Sequence, residues 1–317
     1  EQPNLFVVDS PKVASGLLFY HAFLRRWLES RWLMRLECRS GSRFTTIWLF
    51  ENSRFFDMRF AGNCLKIYHQ VDLNQEFNLK LAASTADICF CTTDIIRDRL
   101  LPHSDRVYKI HHGLALPREK IPLSASQQRL FESGNPHAGY IGNLEMQYLD
   151  VELLARVIHE FPRVQFHLVG GFQEDGLIRK LVCDAPNAVW WGKVDSVQIP
   201  AILERVDVLL VTYQTSHWQD QASPHKLLEY LASGKAVVST YTDEYKDKRH
   251  LLEMVDDSRK FNEVFSRVIA DLPLYNSPER QAMRNEYALQ HSYDRQLDRI
   301  IALLDEHGLK HGFRMEA

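Results

Sequence analysis

Two domains, each an α/β fold built on a parallel sheet, are what this chain predicts. Three observations carry that expectation. Short apolar runs alternate with helix-length segments over almost the whole length, the pattern of strands joined by helical crossovers. Runs close on glycine turns, as at Gly142 after Ile141 and Gly170-Gly171 after Val169. The 317 residues also exceed what one hydrophobic core usually serves, about 250–300 residues.

Taken in order, strands are expected at 5–8, 45–50, 65–69, 88–92 and 107–110, with helices at 16–38, 79–86 and 95–100. The stretch 116–137 holds three prolines among polar residues, the composition of a linker. A second series follows, with strands at 138–141, 164–169, 188–191, 208–211 and 236–239. Its helices are expected at 151–159, 176–183, 199–206 and 224–232, and 277–304 has the 3.6-residue periodicity of a long charged helix. The expected division is a first domain over 1–120, a linker over 121–137, a second domain over 138–290, and a C-terminal helix and tail over 291–317. Sheets of this kind bind ligands beyond the C-terminal ends of their strands.

Composition narrows the function classes. With 45% hydrophobic and 25% charged residues the chain reads as an ordinary globular protein. A net charge of −3 gives no footprint for nucleic acid, so none is expected as a partner. No apolar run approaches the ~20 residues that span a bilayer. A start at Glu1 rather than Met suggests that an N-terminal piece is missing, which would leave the first domain incomplete. Five cysteines without framework spacing read as reduced thiols of a cytoplasmic protein, and Cys89 and Cys91, on one strand face, read as core residues.

The segment from Ser223 to Thr240 carries most of the chemistry. Ser223 suits a helix N-cap, Pro224 the first helical position, and Gly234 the left-handed turn that ends a helix. A capped N-terminus offers free N–H groups and a positive dipole end to an anion, and Lys226 adds a full charge. Glu229, one turn on, could accept from sugar hydroxyls. The plainer reading is a surface helix whose Lys and Glu form a weak solvated pair.

The run Pro224, Lys226, Glu229, Tyr230, Ala232, Gly234, Val237, Val238 and Thr240 resembles the donor-site motif of GT-B glycosyltransferases, above all bacterial glycosyltransferase family 4. Other runs resemble that family in order: Gly139-Tyr-Ile-Gly142-Asn143, Phe166-His-Leu-Val-Gly170-Gly171, Asn187-Ala-Val-Trp-Trp-Gly192-Lys193-Val194, Asp207-Val-Leu-Leu-Val, and Arg284 to Tyr293. In the first domain, Lys66-Ile-Tyr-His69-Gln-Val-Asp72, the run from Ala83 and the run from Val107 to Gly113 resemble it less sharply.

The resemblance implies two Rossmann-like domains facing across a cleft, with a nucleotide-diphosphate sugar as co-substrate and no separate cofactor. It implies sugar transfer to a hydroxyl acceptor, saccharide or lipid-linked, in polysaccharide or glycolipid biosynthesis. Donor contacts would come from Gly142, Asn143, Gly170, Gly171, Lys193, Val194, Ser223, His225, Lys226 and Glu229. Asp72, then His69, are the catalytic candidates on the acceptor side, the base being needed only if the reaction inverts. No two aspartates are separated by a single residue, so the metal motif of GT-A enzymes is missing and a metal-independent reaction is expected.

Two departures from the pattern matter. The Arg/Lys pair that usually follows the first glycine turn is absent from 143–148, and the first glutamate of the family's E-x7-E falls on Gln221. They leave room for two alternatives, a nucleotide-sugar 2-epimerase of the same fold and a catalytically silent nucleotide-binding subunit.

The stretch 19–39 sets Phe19, Phe23 and Trp27 among five arginines, and residues 1–60 carry nine basic against six acidic side chains. One reading is a peripheral helix resting on anionic lipid at the inner face of the membrane. The preferred one is a helix packed on the sheet with a solvated arginine face. His307 and His311 have metal-pair spacing but are expected to be solvated.

Overall fold

The computed structural model describes residues 5, 7–8, 13–75, 77–115, 120–172, 176–218 and 223–313. In chain order the first elements are α1 (Leu17–Tyr20), α2 (Ala22–Ser40), β1 (Thr46–Leu49), β2 (Leu65–Gln70), α3 (Leu79–Thr85), β3 (Ile88–Cys91), α4 (Asp94–Leu100) and β4 (Val107–Lys109). There follow α5 (Ala125–Arg129), β5 (His137–Ile141), α6 (Val151–Glu160), β6 (Gln165–Val169), α7 (Leu177–Asp184), β7 (Ala188–Gly192), α8 (Ile199–Leu203) and β8 (Val208–Val211). The last are α9 (Lys226–Ala232), β9 (Ala236–Thr240), β10 (Glu253–Val255), α10 (Phe261–Ala270), α11 (Leu272–Tyr275), α12 (Pro278–Leu289) and α13 (Tyr293–Glu306). Two compact units result, one of residues 1–111 with 298–317, the other of residues 112–297. No helix among the described residues is long and apolar enough to cross a membrane.

In the first unit β1, β2, β3 and β4 lie side by side in chain order, all parallel. One apolar cluster gathers Tyr68, Cys89, Cys91, Ile96 and Leu100, and burial pushes the Cys89 thiol up to about 11 and that of Cys91 to about 12. A second cluster joins Ile67, Ile88 and Phe90 to Ile300 and Leu304. The segment expected as a tail therefore supplies core residues to the first unit. His307, expected in solvent, is hydrogen-bonded to the Tyr108 hydroxyl. Of the expected strand at 5–8, Leu5, Val7 and Val8 carry no strand, and Phe6 lies outside the described residues.

The N-terminal helix breaks at His21, and the preferred packing for it holds in part: Leu33 packs toward β1 beside Ile47, and Arg31, Arg35 and Arg39 are exposed, but the first half of the helix is turned the other way. Arg25, Glu29 and Leu33 point inward, while Phe23 and Trp27 are 73% and 50% exposed. The cause is Asp57, a fully buried carboxylate that requires cations. Arg59 pairs with it at 2.6 Å, Arg25 at 3.4 Å and Arg26 at 3.6 Å. Turning Arg25 toward Asp57 turns the aromatic face outward.

The second unit is a six-stranded parallel sheet in the order β10-β9-β8-β5-β6-β7. Apolar clusters cover both of its faces, which is why its strands read as nearly unbroken hydrophobic runs. The expected linker is part of this unit: Ser124 closes a capping box on α5, and Leu123 and Phe131 enter the core beside Ile202 and Tyr230. Arg284 of α12 is buried, and its guanidinium donates to the carbonyls of Gly234, Leu251 and Tyr275. That anchors α12 against the turn after α9.

Candidate functional site

The strand order of the second unit reverses between β5 and β8. From β5 the chain winds outward through β6 and β7, then returns to build β8, β9 and β10 on the other side. Such a switch point leaves a crevice at the C-terminal ends of the two strands, the usual ligand position in open α/β sheets. Gly142 lies there, just past β5.

Only glycine fits this crevice. Gly142 and Gly170 have φ of +150° and +145°. The Gly142 N–H donates to the Val169 carbonyl at 2.9 Å, and the Gly170 N–H donates to the Gly192 carbonyl at 2.9 Å. A Cβ on Gly170 would lie 1.9 Å from the Gly142 carbonyl oxygen, so the ends of β5, β6 and β7 can approach only bare backbone.

Tyr230 ties α9 to the same point. Its hydroxyl accepts from the Ile141 N–H at 2.8 Å and donates to the Ile141 carbonyl at 3.1 Å. One turn earlier on α9, Lys226 is thereby carried over the Gly142 turn, and a Cβ on Gly142 would lie 2.7 Å from its Nζ. The ammonium lies 3.8 Å from the Tyr140 ring centroid and 5.1 Å from that of Tyr213. Ring faces attract a cation but accept no strong hydrogen bond. Nζ is closed to solvent and has no hydrogen-bond partner among the described residues. Burial pulls its pKa down to about 7, with Glu229 acting the other way. The result is a cation with unused donors at a glycine turn, an arrangement suited to an anion.

The helix start differs from the expectation. α9 begins at Lys226 with His225 as N-cap and no side-chain cap bond, so Ser223 does not cap it. The reason is a tight entry turn: the N–H groups of Leu227 and Leu228 donate to the carbonyls of Pro224 and His225. His225 instead reaches Gly113, whose carbonyl accepts from Nε2 at 2.9 Å. A carbonyl only accepts, so Nε2 carries the proton in the neutral ring. Nδ1 then faces Glu229 Oε1 at 3.8 Å, and the Glu229 side chain is 36% exposed and open to a hydroxyl. If Glu229 reads a ribose, Glu229→Ala should weaken binding of a ribonucleotide more than of its 2′- or 3′-deoxy analogue in calorimetry. Equal losses would make Glu229 structural.

The remaining donor candidates spread around this centre. The Asn143 side chain is occupied locally, accepting from the Glu145 N–H at 2.9 Å. Lys193 is exposed, its stem so close to Gly171 that a Cβ there would meet Cε at 2.6 Å, and Val194 packs on the core. Gln221 lies outside the described residues. Trp190 was not singled out in the sequence. Its indole N–H donates to the Gly170 carbonyl at 2.8 Å, and its ring, 43% exposed, packs 4.3 Å from that of Phe172. Strand alternation could have pointed to it, since Trp191 turns to the core and Trp190 must then face the other way.

The acceptor-side candidates belong to the first unit and differ from one another. Asp72 is exposed, two residues past the end of β2, and its backbone carbonyl accepts from the Gln70 side chain at 3.0 Å. His69 is not on an open loop. It lies within β2, 8% exposed, with the rings of Trp48, Phe50 and Phe90 at 6.0, 5.2 and 5.8 Å.

Residues 135–271 match the family Glycosyl transferases group 1, a match over less than half of the chain. TuaH of Bacillus subtilis (strain 168), whose name places it among teichuronic acid biosynthesis glycosyltransferases, is 23% identical over 208 residues. That alignment takes in 58% of this chain and 52% of TuaH, so the chain spans about half the length of the curated relative it matches. Among solved structures, the sucrose-phosphate synthase of Thermosynechococcus elongatus superposes with a TM-score of 0.70 at 15% identity, covering 91% of this chain and 79% of that one. HepE of Anabaena, solved in complex with UDP, superposes with a TM-score of 0.68 at 15% identity, covering 88% and 82%. The chain therefore has the fold of the GT-B glycosyltransferases, and its residues 135–271 are similar to the Glycosyl transferases group 1 family.

Proposed function

We propose that the chain moves a sugar from a nucleotide-diphosphate sugar to a hydroxyl of a saccharide or lipid-linked acceptor, in the assembly of a surface polysaccharide or glycolipid. One observation carries the reading: the Lys226 ammonium, buried without a hydrogen-bond partner among the described residues, beside Gly142 at the switch point. Diphosphate oxygens would take up its unused donors. As the bond from the anomeric carbon to the diphosphate breaks, negative charge grows on the leaving oxygen, and a fixed cation there stabilises the transition state. The UDP in HepE and the name of TuaH support the same reading.

In this reading Gly142, Gly170 and Lys226 hold the diphosphate, Glu229 the ribose, and the turn from Gly192 to Val194 the base. The acceptor oxygen bonds to the anomeric carbon and loses its proton. In an inverting reaction that proton goes to Asp72, whereas in a retaining reaction it passes to the departing diphosphate oxygen and no such base is needed. Neither a metal ion nor a separate cofactor is part of the proposal, and its setting is the cytoplasm, at the inner face of the membrane. A silent nucleotide-binding subunit is the second reading, favoured by the absence of any cation from 143–148.

The test follows labelled UDP-, GDP- and ADP-sugars, with and without an extract of bacterial glycolipid acceptors. Label passing to the acceptor supports the transfer. Tight binding with no turnover would favour the silent subunit, and a changed sugar still on its nucleotide the epimerase.

A further inference from the structure

The outward face of α2 is built from two parts in line. Phe23, Trp27, Arg31, Arg35 and Arg39 recur every fourth residue, so they form one ridge that winds about 40° per step around the exposed side of the helix. Phe23 is 73% and Trp27 50% exposed, and Met34, 54% exposed, adjoins the row. Arg31 lies over the Trp27 ring at 5.0 Å, and Arg35 and Arg39 are exposed beyond it. Neither acidic residue of the helix shares this face. Glu29 is buried on the opposite side, and Glu37 is half-buried and accepts from the Phe44 N–H. A soluble surface rarely leaves large aromatic side chains this open without a partner.

We infer that this face of α2 docks on a bilayer surface carrying anionic headgroups. Charge complementarity selects the occupant. The row ends in three guanidinium groups, none of which pairs with a carboxylate among the described residues. Arginine is suited to bidentate contact with headgroup phosphates, and Phe23 and Trp27 have the amphipathic bulk that settles at the interface. A purely apolar protein partner would strand those cations, so a lipid surface fits the face as a whole. The inference names the surface of this chain, and the lipid charge, that would hold it at the membrane where the proposed transfer is set, but it does not depend on the transfer.

The test is flotation of the full chain, without nucleotide, on phosphatidylcholine vesicles and on vesicles with added phosphatidylglycerol. Binding should be confined to the anionic vesicles, weaken with salt, and shift tryptophan fluorescence to the blue in the parent but not in Trp27→Phe. Each arginine contributes roughly fivefold, so the triple change Arg31→Ser, Arg35→Ser, Arg39→Ser should weaken binding about a hundredfold. Phe23→Ala should weaken it about tenfold or more through lost burial. All of these side chains are exposed, so a thermal melt should show folded variants. Equal binding to both vesicle types, or binding unmoved by the triple change, would overturn the inference. So would a dimer in solution that Phe23→Ala dissociates, because the face would then belong to a second copy. UDP affinity should be the same in the triple variant as in the parent. A parent that binds vesicles but no nucleotide would count against the transfer reading alone.

Discussion

Replacing Lys226 by alanine should lower the affinity for UDP by roughly tenfold to a hundredfold while leaving that for uridine almost unchanged. The scale follows from a charge-assisted contact of about 1.5–3 kcal/mol. The selectivity follows from geometry. Nζ sits at the Gly142 turn between two tyrosine rings, whereas the nucleoside candidates, Glu229 and the turn after β7, are other residues. No cation follows in 143–148 to take its place. Protein stability should not fall with it, since the change removes a buried ammonium that makes no hydrogen bond among the described residues. Calorimetry with UDP and uridine on both proteins decides the matter, and equal losses for the two ligands would detach Lys226 from the diphosphate.

The second large effect is expected in turnover. Asp72→Asn should slow sugar transfer by roughly a hundredfold or more and leave donor affinity intact, because a base acts mainly in the transition state. Asp72 is exposed just past the C-terminal end of β2, so its replacement should not disturb the core. Its neighbour in the motif offers a contrast. His69 is enclosed by Trp48, Phe50 and Phe90, and changing it should lower stability before it lowers catalysis. Full activity in the Asp72 variant would remove the base and point to a retaining reaction.

How far the sequence carried these conclusions depends on which forces were local. The strands of both sheets other than β10 were legible because each is a short apolar run between turn residues, and the parallel order follows from the helices between them. The glycines at 142 and 170 could be read as turns, but their contact could not. A Cβ at Gly170 clashes with the carbonyl of Gly142 only once β5 and β6 are side by side. Lys226 was named from its motif, yet its burial between Tyr140 and Tyr213 depends on Tyr230 gripping Ile141, a contact between distant parts of the chain.

Local rules also lost to tertiary ones. Ser223 and Pro224 are good helix starters, but the entry turn at His225 moved the start to Lys226. Aromatic residues at helical spacing usually face a core. In α2 the buried Asp57 drew Arg25 inward instead, and the aromatic row was left outside. Nothing near the helix in sequence announces Asp57 as its partner. The short β10 and α11 have only three and four residues, too few for a period to show.

The central claim is that the Lys226 ammonium holds the diphosphate, and its own titration tests that most directly. With labelled lysine, the Lys226 Nζ resonance is assigned by its loss in Lys226→Arg and followed by NMR from pH 6 to pH 10, with and without UDP. The free protein should titrate near pH 7, where burial holds this lysine. Bound UDP should raise that value by about one unit or more, since an adjacent anion favours the charged form. The linkage has a definite sign. Affinity for UDP is full below the free-state pKa and falls as pH rises from 7 toward the bound-state value, a window above the ~6 of a terminal phosphate. A Lys226 that titrates as an ordinary exposed lysine and does not move with UDP would contradict the account.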